Sequence, residues 1–123
     1  MPLVIVTRNQ ELVSDREVCE LGPRLQEIVA FRLSCDDEGG KLTEKDIEVR
    51  FQEHGPFDVN TSHLQIVIFA NDYASRKANL KERTKGIAAD LKQGSCLSPV
   101  VFGGAEAGNF VWVRLAPAGF AYL

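Results

Sequence analysis

The sequence predicts an α/β (α+β) fold in which two β-α-β units form a four-stranded mixed sheet with two helices on one face. Two observations carry this prediction. The order strand, helix, strand occurs twice along the 123 residues, and each strand segment is either apolar throughout or alternates between apolar and polar residues. Short crossovers of this kind are right-handed and join parallel strands. We expect one domain, residues 1–123, with half-repeats at 1–55 and 64–118.

The first half opens with an apolar strand at Leu3–Arg8. Ser14 and Glu17 then give the S-x-x-E pattern of a capping box, which predicts the start of a helix. Gly22-Pro23 predicts a kink or a broken first turn in this helix. The second strand has the period of two that is typical of a sheet with unlike faces. Its apolar residues Ile47, Val49 and Phe51 alternate with Glu48, Arg50 and Gln52.

The second half opens with Leu64–Ala70, a nearly continuous apolar run that is typical of a strand buried on both faces. Asn71 or Asp72 is predicted to cap the helix that follows, and Phe110–Arg114 is predicted to be the last strand. Four basic side chains of this helix are expected to face solvent: Arg76, Lys77, Lys81 and Lys85. Because no segment remains to cover the second face of the sheet, we expect another subunit there.

Composition argues against several function classes. The chain has 14 basic and 17 acidic residues, a net charge of −3 and no block of one sign, which argues against a nucleic acid or an anionic membrane as partner. It has no apolar run near ~18 residues and no signal-like start, so a cytoplasmic location is expected. Cys19, Cys35 and Cys96 are odd in number and fit free thiols. His54 and His63 match no metal-ligand spacing, and neither a metal nor a cofactor is expected.

Pro2 is the first candidate for chemistry because it follows Met1 directly and begins an apolar strand. If Met1 is removed, the chain starts with a secondary amine. An α-amino group has a pKa of ~7.7–8, and an apolar setting or nearby cations lower it. Such an amine can take protons from carbon acids or attack carbonyls. The alternative is that Pro2 only opens an edge strand. With Met1 retained, its nitrogen is an amide without a basic lone pair.

Several segments of the chain resemble the tautomerase superfamily, which includes oxalocrotonate tautomerase and macrophage migration inhibitory factor. Beside Pro2, the residues that carry the resemblance are Val49–Glu53, Arg76–Lys81 and Val111–Val113, which are similar to segments of the cis-chloroacrylic acid dehalogenase branch. The resemblance implies a homotrimer whose sheets form a central barrel, a small carboxylate substrate and no cofactor. It also implies that Pro2 is the catalytic proline and that Arg76 holds the substrate carboxylate.

Three positions depart from the dehalogenase branch. Its helical histidine falls on Phe31, its second carboxylate-binding arginine on Tyr73, and its water-activating tyrosine on Arg114. Hydration of a haloacrylate therefore lacks part of its acid–base set. Keto–enol tautomerisation needs only a base and a cation for the enolate oxygen. The resemblance thus implies a cofactor-independent tautomerase or isomerase of a small 2-oxo or 2-hydroxy-enoic acid. The alternatives are a non-catalytic ligand-binding or structural oligomer and a hydratase-like or dehalogenase-like lyase.

Other residues are candidates for substrate binding. Arg50 either lines the pocket or pairs with Glu48 across neighbouring strands. Trp112 and Arg114 alternate in the last strand and face the same way, so they form either a wall of the site or a cation–π pair that orders a subunit contact. Tyr73 stands at the entry to the second helix. The candidate site consists of the catalytic residues Pro2 and Arg76 and the substrate-binding residues Arg50, Tyr73, Trp112 and Arg114.

Overall fold

The computed structural model describes residues 2–93, 97, 108–117 and 123. The first unit contains strand β1 (Leu3–Arg8), helix α1 (Asp15–Leu33), a single 3-10 turn (Glu44–Asp46) and strand β2 (Glu48–Glu53). The second contains strand β3 (Leu64–Asn71), helices α2 (Ala74–Ala78) and α3 (Leu80–Lys92), and strand β4 (Phe110–Ala116). Among these residues, no helix combines the length and the apolar character that crossing a membrane requires.

The four strands form one mixed sheet in the order β2-β1-β3-β4. β1 pairs with β2 and β3 pairs with β4 in parallel, as the β-α-β units require, whereas β1 and β3 are antiparallel. Leu3 lies opposite Glu48 on one side and Phe69 on the other, and Phe69 lies opposite Arg114. The predicted four-stranded mixed sheet is confirmed.

The hydrophobic core lies between one face of this sheet and the helices α1 and α3, which both pack on that face. Alternate residues of β1 and β3 point into it, because successive side chains of a strand point to opposite faces. Residues of the core with at most 2% exposure include Val4, Val6, Ile66 and Ile68 from the sheet, and Leu21, Leu25, Val29 and Ile87 from the helices.

None of the described residues covers the opposite face of the sheet. β3, which the sequence suggests is buried on both sides, has a strict alternation of buried and half-buried residues within one chain. We call this second face the uncovered face. Its apolar and aromatic members are Leu3 and Ile5 of β1, Val67 and Phe69 of β3, and Phe110 and Trp112 of β4, and Trp112 is 54% exposed.

Helix α1 begins where the sequence predicts. The Glu17 amide donates to Ser14 Oγ at 3.2 Å, and the Ser14 amide donates to Glu17 Oε1 at 3.2 Å, which completes the capping box. The helix then runs through Pro23 to Leu33 without the expected break. Proline removes the hydrogen bond to the carbonyl four residues earlier. That carbonyl belongs to Cys19, which is exposed, so water can replace the lost donor.

The second helical segment starts later than the sequence predicts and has two parts. The expected cap at Asn71 or Asp72 is wrong, because the cap position is Tyr73. α2 ends at Ala78, and Asn79 separates it from α3, which begins at Leu80. Asp37 supplies the capping acceptor from a distant part of the chain. Its Oδ2 accepts from Ser75 Oγ at 3.0 Å and from the Ser75 amide at 3.4 Å.

Arginines from each long helix donate to the carboxyl end of the other. Arg24 Nη2 donates to the carbonyl oxygens of Asp90 and Gln93 at 3.1 and 3.0 Å. Arg83 Nη1 donates to the carbonyl oxygen of Ser34 at 2.8 Å, just beyond the end of α1. A cation at a helix carboxyl end opposes the partial negative charge of the exposed carbonyls. The two helices therefore stabilise each other at their ends as well as along their apolar faces.

A bidentate ion pair between Arg32 and Asp90 adds to this contact, with distances of 2.7 Å for Nε–Oδ2 and 2.9 Å for Nη2–Oδ1. The hydrogen bonds from Arg32 lower the pKa of Asp90. A carboxyl group whose pKa is lower in the folded state stabilises the fold above its unfolded pKa of ~3.9. That stabilisation is lost as the pH falls through the folded pKa.

We therefore expect Asp90→Asn to lower the urea concentration at the midpoint of unfolding at pH 7. The gap in midpoint between the variant and the parent chain should narrow as the pH falls from 7 toward 3. Circular dichroism during urea titration at several pH values measures this. Glu20→Gln is the control, because Glu20 Oε1 pairs with Nε of the exposed Arg16 at 3.4 Å. A gap that stays constant on acidification would contradict the role given to Asp90.

Candidate functional site

Pro2 is buried at the start of β1, with its side chain on the helix side of the sheet. Its carbonyl oxygen accepts a hydrogen bond of 3.2 Å from the amide of Glu48. The amino end of β1 lies beside the carboxyl ends of β3 and β4, because Leu3 pairs with Phe69. We call this end of the sheet the proline edge and define it by Pro2, Asn71 and Ala116.

Arg76 is also buried, with 1% of its surface exposed, so the expectation that it faces solvent is wrong. Its guanidinium donates to three backbone carbonyl oxygens. Nε donates to Leu33 at 2.8 Å, Nη1 to Asn71 at 2.9 Å and Nη2 to Gly40 at 3.4 Å. These acceptors lie at the end of α1, at the end of β3 and in the loop before β2. Arg76 therefore joins three separate segments at the proline edge.

Sequence reasoning missed this burial, although a signal for it existed. The last carbonyls of a helix such as α1 have no partners within the helix, and an arginine elsewhere in the chain is a suitable donor. Burial lowers the pKa of the Arg76 guanidinium below its ordinary value. Because the ordinary pKa of a guanidinium lies far above neutrality, the group remains a cation at neutral pH. A positive charge is thus fixed inside the proline edge.

Tyr73 and the loop of residues 35–40 enclose this cation. The Arg76 guanidinium carbon lies 5.0 Å from the centre of the Tyr73 ring, a cation–π contact. Gly39 has a φ of 77°, and a β-carbon there would be 3.0 Å from the Tyr73 hydroxyl. At Gly40 a β-carbon would lie 2.3 Å from Cys35 Sγ, so only glycine fits. Tyr73 therefore contacts the same cation that the sequence places in the candidate site.

Arg114 and Trp112 face the same way, as the alternation in β4 predicts. The Arg114 guanidinium carbon lies 4.9 Å from the centre of the Trp112 ring and 5.7 Å from that of Phe69. Both residues belong to the uncovered face, whereas Pro2 and Arg76 lie on the helix side of the sheet. A single chain therefore places the predicted substrate-binding pair and the predicted catalytic pair on opposite faces.

Arg50 pairs with Glu48, with 2.9 Å between Nε and Oε1, as one of the two alternatives proposed. The expected geometry is wrong, however, because both residues belong to β2 rather than to neighbouring strands. Arg50 is exposed and lies in the same transverse row as Ile5, Val67 and Trp112 on the uncovered face. It is therefore placed with Arg114 and Trp112 rather than with Pro2.

The position of the dehalogenase histidine holds Phe31, which is 73% exposed and lies beneath the Arg32 guanidinium at 5.2 Å. An apolar ring cannot transfer a proton. A groove of about 760 Å³ runs along α2 and α3 beside Val111, and its lining residues include Lys77 and Lys81 but not Pro2. This groove lies outside the proline edge.

The other residues that the sequence singles out are histidines, cysteines and Met1. His54 Nε2 lies 2.7 Å from the carbonyl oxygen of Ser62. In the described part of the chain, no group of three or more His, Cys, Asp or Glu residues is arranged to hold a metal ion. Cys19 and Cys35 are free thiols, exposed and buried respectively. Met1 and Cys96 lie outside the described residues.

The chain is similar to several solved structures in its fold. No family profile and no curated protein matches the sequence. The solved structures that match include native Ps01740, with a TM-score of 0.61, 18% identity, and coverage of 98% of this chain and 99% of that one. A second is FG41 malonate semialdehyde decarboxylase inhibited by 3-bromopropiolate, with a TM-score of 0.60, 14% identity, and coverage of 98% and 89%.

A third match is the macrophage migration inhibitory factor-like protein of Entamoeba histolytica, with a TM-score of 0.58, 10% identity, and coverage of 98% and 96%. The matches also include N1, of the cis-3-chloroacrylic acid dehalogenase family, and a fused 4-OT described as a symmetric trimer, with TM-scores of 0.54 and 0.52. Apart from Ps01740, whose name indicates no activity, these proteins are members of the tautomerase superfamily. With two β-α-β units joined in one mixed sheet, the chain has the fold of the tautomerase superfamily.

Proposed function

We propose that the chain is a cofactor-independent tautomerase or isomerase of a small 2-oxo or 2-hydroxy-enoic acid, with Pro2 as the general base. The observation that carries this proposal is the burial of Pro2 at the same end of the sheet as the buried cation Arg76. An apolar surrounding and a nearby positive charge both disfavour the protonated amine. Each therefore lowers the pKa of a free Pro2 amine toward neutrality, where it serves best as a base.

The proposed reaction moves one proton. The lone pair of the Pro2 nitrogen takes the hydroxyl proton of the enol, and the electrons of that O–H bond stay on oxygen as an enolate. In the second transfer the C=C electrons take the proton from the Pro2 ammonium group to form a C–H bond, and a lone pair of the enolate oxygen forms the carbonyl. The same ammonium group returns the proton, so the enzyme is unchanged after one turnover. The fixed charge of Arg76 stabilises the enolate that exists between the two transfers. In this mechanism Arg76 positions the backbone and supplies the electric field of the site.

We further propose that the site is completed by association into a homotrimer. The uncovered face contains apolar and aromatic residues that a partner would remove from water. Arg114, Trp112 and Arg50 lie on that face. In the trimer, these residues of one subunit would lie beside Pro2 of a neighbouring subunit. A trimeric fused 4-OT among the structures with this fold supports the proposal.

A second candidate function is a non-catalytic oligomer that binds a small carboxylate. Two observations favour it. The three hydrogen bonds of Arg76 are made to its own chain, and Phe31 stands where the dehalogenase branch has a histidine. The two candidates differ in one measurable property, which is turnover that depends on a free Pro2 amine.

The decisive comparison is between chains that differ only at the amino terminus. We expect protein whose mass shows removal of Met1 to interconvert the enol and keto forms of phenylenolpyruvate or a 2-hydroxymuconate. Protein that retains Met1, and the Pro2→Ala variant, should be slower by about 10²–10⁴-fold with unchanged circular dichroism, because the secondary amine is lost. The rate should rise with pH through the pKa of the amine. Equal rates above the uncatalysed reaction in all three proteins would rule out Pro2 as the base, and no turnover in any of them would favour the non-catalytic candidate.

Removing the Arg76 guanidinium should affect both stability and pKa. Arg76→Met removes the hydrogen bonds to Leu33, Asn71 and Gly40, although the Gly40 carbonyl oxygen still accepts from the Cys35 amide at 2.9 Å. We therefore expect the free energy of unfolding, measured in urea, to fall by about 2–4 kcal/mol. The pKa of the Pro2 amine, followed by NMR titration, should rise because a nearby cation is gone. Lys77→Met is the matched control, since Lys77 is exposed and lies 3.8 Å from Asp72, and it should change stability by less than about 0.5 kcal/mol. An unchanged amine pKa in Arg76→Met would contradict the electrostatic role.

A further inference from the structure

The loop between β2 and β3 presents two apolar side chains to solvent. Phe57 is 92% exposed and Val59 is 81% exposed. The turn that carries them is held by hydrogen bonds of its own: Asp58 Oδ2 accepts from the Gly55 amide at 2.7 Å, and the Asp58 amide donates to the Gly55 carbonyl at 3.2 Å. We call this turn, residues 55–60, the phenylalanine turn. An ordered turn that holds an aromatic ring in water is already organised to bind a partner.

The base of the loop is fixed as well. His54 Nε2 lies 2.7 Å from the carbonyl oxygen of Ser62, which joins the two ends of the loop. Asn60 adopts a φ of 57°, a conformation that asparagine tolerates better than most residues and that directs the chain back toward β3. Phe57 is therefore presented by a closed loop and loses little freedom on binding.

A pocket of matching character lies at the opposite side of the sheet. It is a cavity of about 120 Å³ between α3 and β4, which we call the α3–β4 pocket. Its apolar lining includes Leu64, Ile66, Ala88, Leu91 and Val111. An apolar protein cavity of about 150 Å³ accepts a benzene ring, so this pocket of about 120 Å³ is slightly smaller than a cavity known to hold one aromatic ring.

The turn and the pocket cannot meet within one chain. Both lie at the end of the sheet opposite the proline edge, because Arg8 pairs with both Glu53 and Leu64. They lie at opposite lateral edges, however, beside β2 and β4, which are three interstrand spacings or about 14 Å apart. The exposure of Phe57 agrees with this separation. A contact between the two surfaces must therefore join different copies head to tail, an arrangement that forms a ring where the rotation between copies closes.

The two edge strands are complementary in the same arrangement. One transverse row of the uncovered face begins with Glu48 on β2 and ends with Arg114 on β4, and the next row begins with Arg50 and ends with Trp112. β2 and β4 are antiparallel. Placing β2 beside β4 of a second copy with the rows in line would bring the acidic end of the first row beside the basic end of the same row in the next copy, which is a complementary arrangement of charge.

We propose that Phe57 inserts into the α3–β4 pocket of the next copy of this chain and anchors a head-to-tail ring of identical subunits. The inference deepens the proposed function, because it names the contact that assembles the oligomer. It also places each phenylalanine turn against the α3 and β4 segments of its neighbour.

The test is the mass of the protein over a dilution series, measured by sedimentation equilibrium. We expect Phe57→Ser to raise the concentration at which the oligomer dissociates by at least about tenfold, as for a buried aromatic anchor. Phe31→Ser is the matched control, because Phe31 is also an exposed phenylalanine, at 73%, and lies on α1 outside both surfaces. It should change that concentration by less than about twofold. Equal effects of the two substitutions would overturn the proposal.

A double-mutant cycle tests the pocket directly. Ala88→Leu fills the pocket from α3 and should weaken association, and in the Phe57→Ser background it should weaken it little further, since the aromatic ring is already absent. Fully additive effects would overturn the pairing of Phe57 with this pocket. A parent chain that stays monomeric at every concentration would overturn it too. The dependence of turnover on Met1 removal is measured separately, so failure of this contact and failure of the proposed chemistry are distinguishable.

Discussion

Three segments of the chain meet at the proline edge, and one buried guanidinium donates to a carbonyl oxygen in each of them. The planar fork of Arg76 has fixed angles between its N–H groups, so the end of α1, the end of β3 and Gly40 are held at fixed relative positions. Pro2 starts the strand that lies directly beside β3. The geometry around its nitrogen therefore depends on a side chain that comes from the other half of the chain.

The sheet has a second constraint, which is that the described residues cover only one of its faces. The covered face packs against α1 and α3 and includes Pro2, whereas the other carries Trp112 and Arg114. Because side chains alternate along a strand, one chain cannot bring both sets of residues to the same side. The arrangement fits a protein whose functional unit is larger than one chain, and the phenylalanine turn and the α3–β4 pocket supply a specific way to build that unit.

Local patterns in the sequence predicted most of the fold. The capping box at Ser14, the alternation in β2 and the apolar run of β3 each specify their own element without help from distant residues. The errors arose where a distant residue decides the outcome. The cap of α2 comes from Asp37, and the burial of Arg76 is set by the carbonyls of α1 and by the ring of Tyr73. The candidate site was predicted as a set of residue types, whereas its division between two faces follows from strand register, which no local pattern encodes.

The reciprocal contacts of Arg24 and Arg83 bear on how the chain folds. Each long helix ends in carbonyl oxygens whose donors belong to the other half of the sequence. A fragment that contains only one β-α-β unit would expose its helix end as well as its apolar face. Despite the repeated order of elements, the halves are therefore not independent modules, and both should gain and lose structure in one cooperative transition. The two β-α-β units share the same order of elements, but neither is expected to fold without the other.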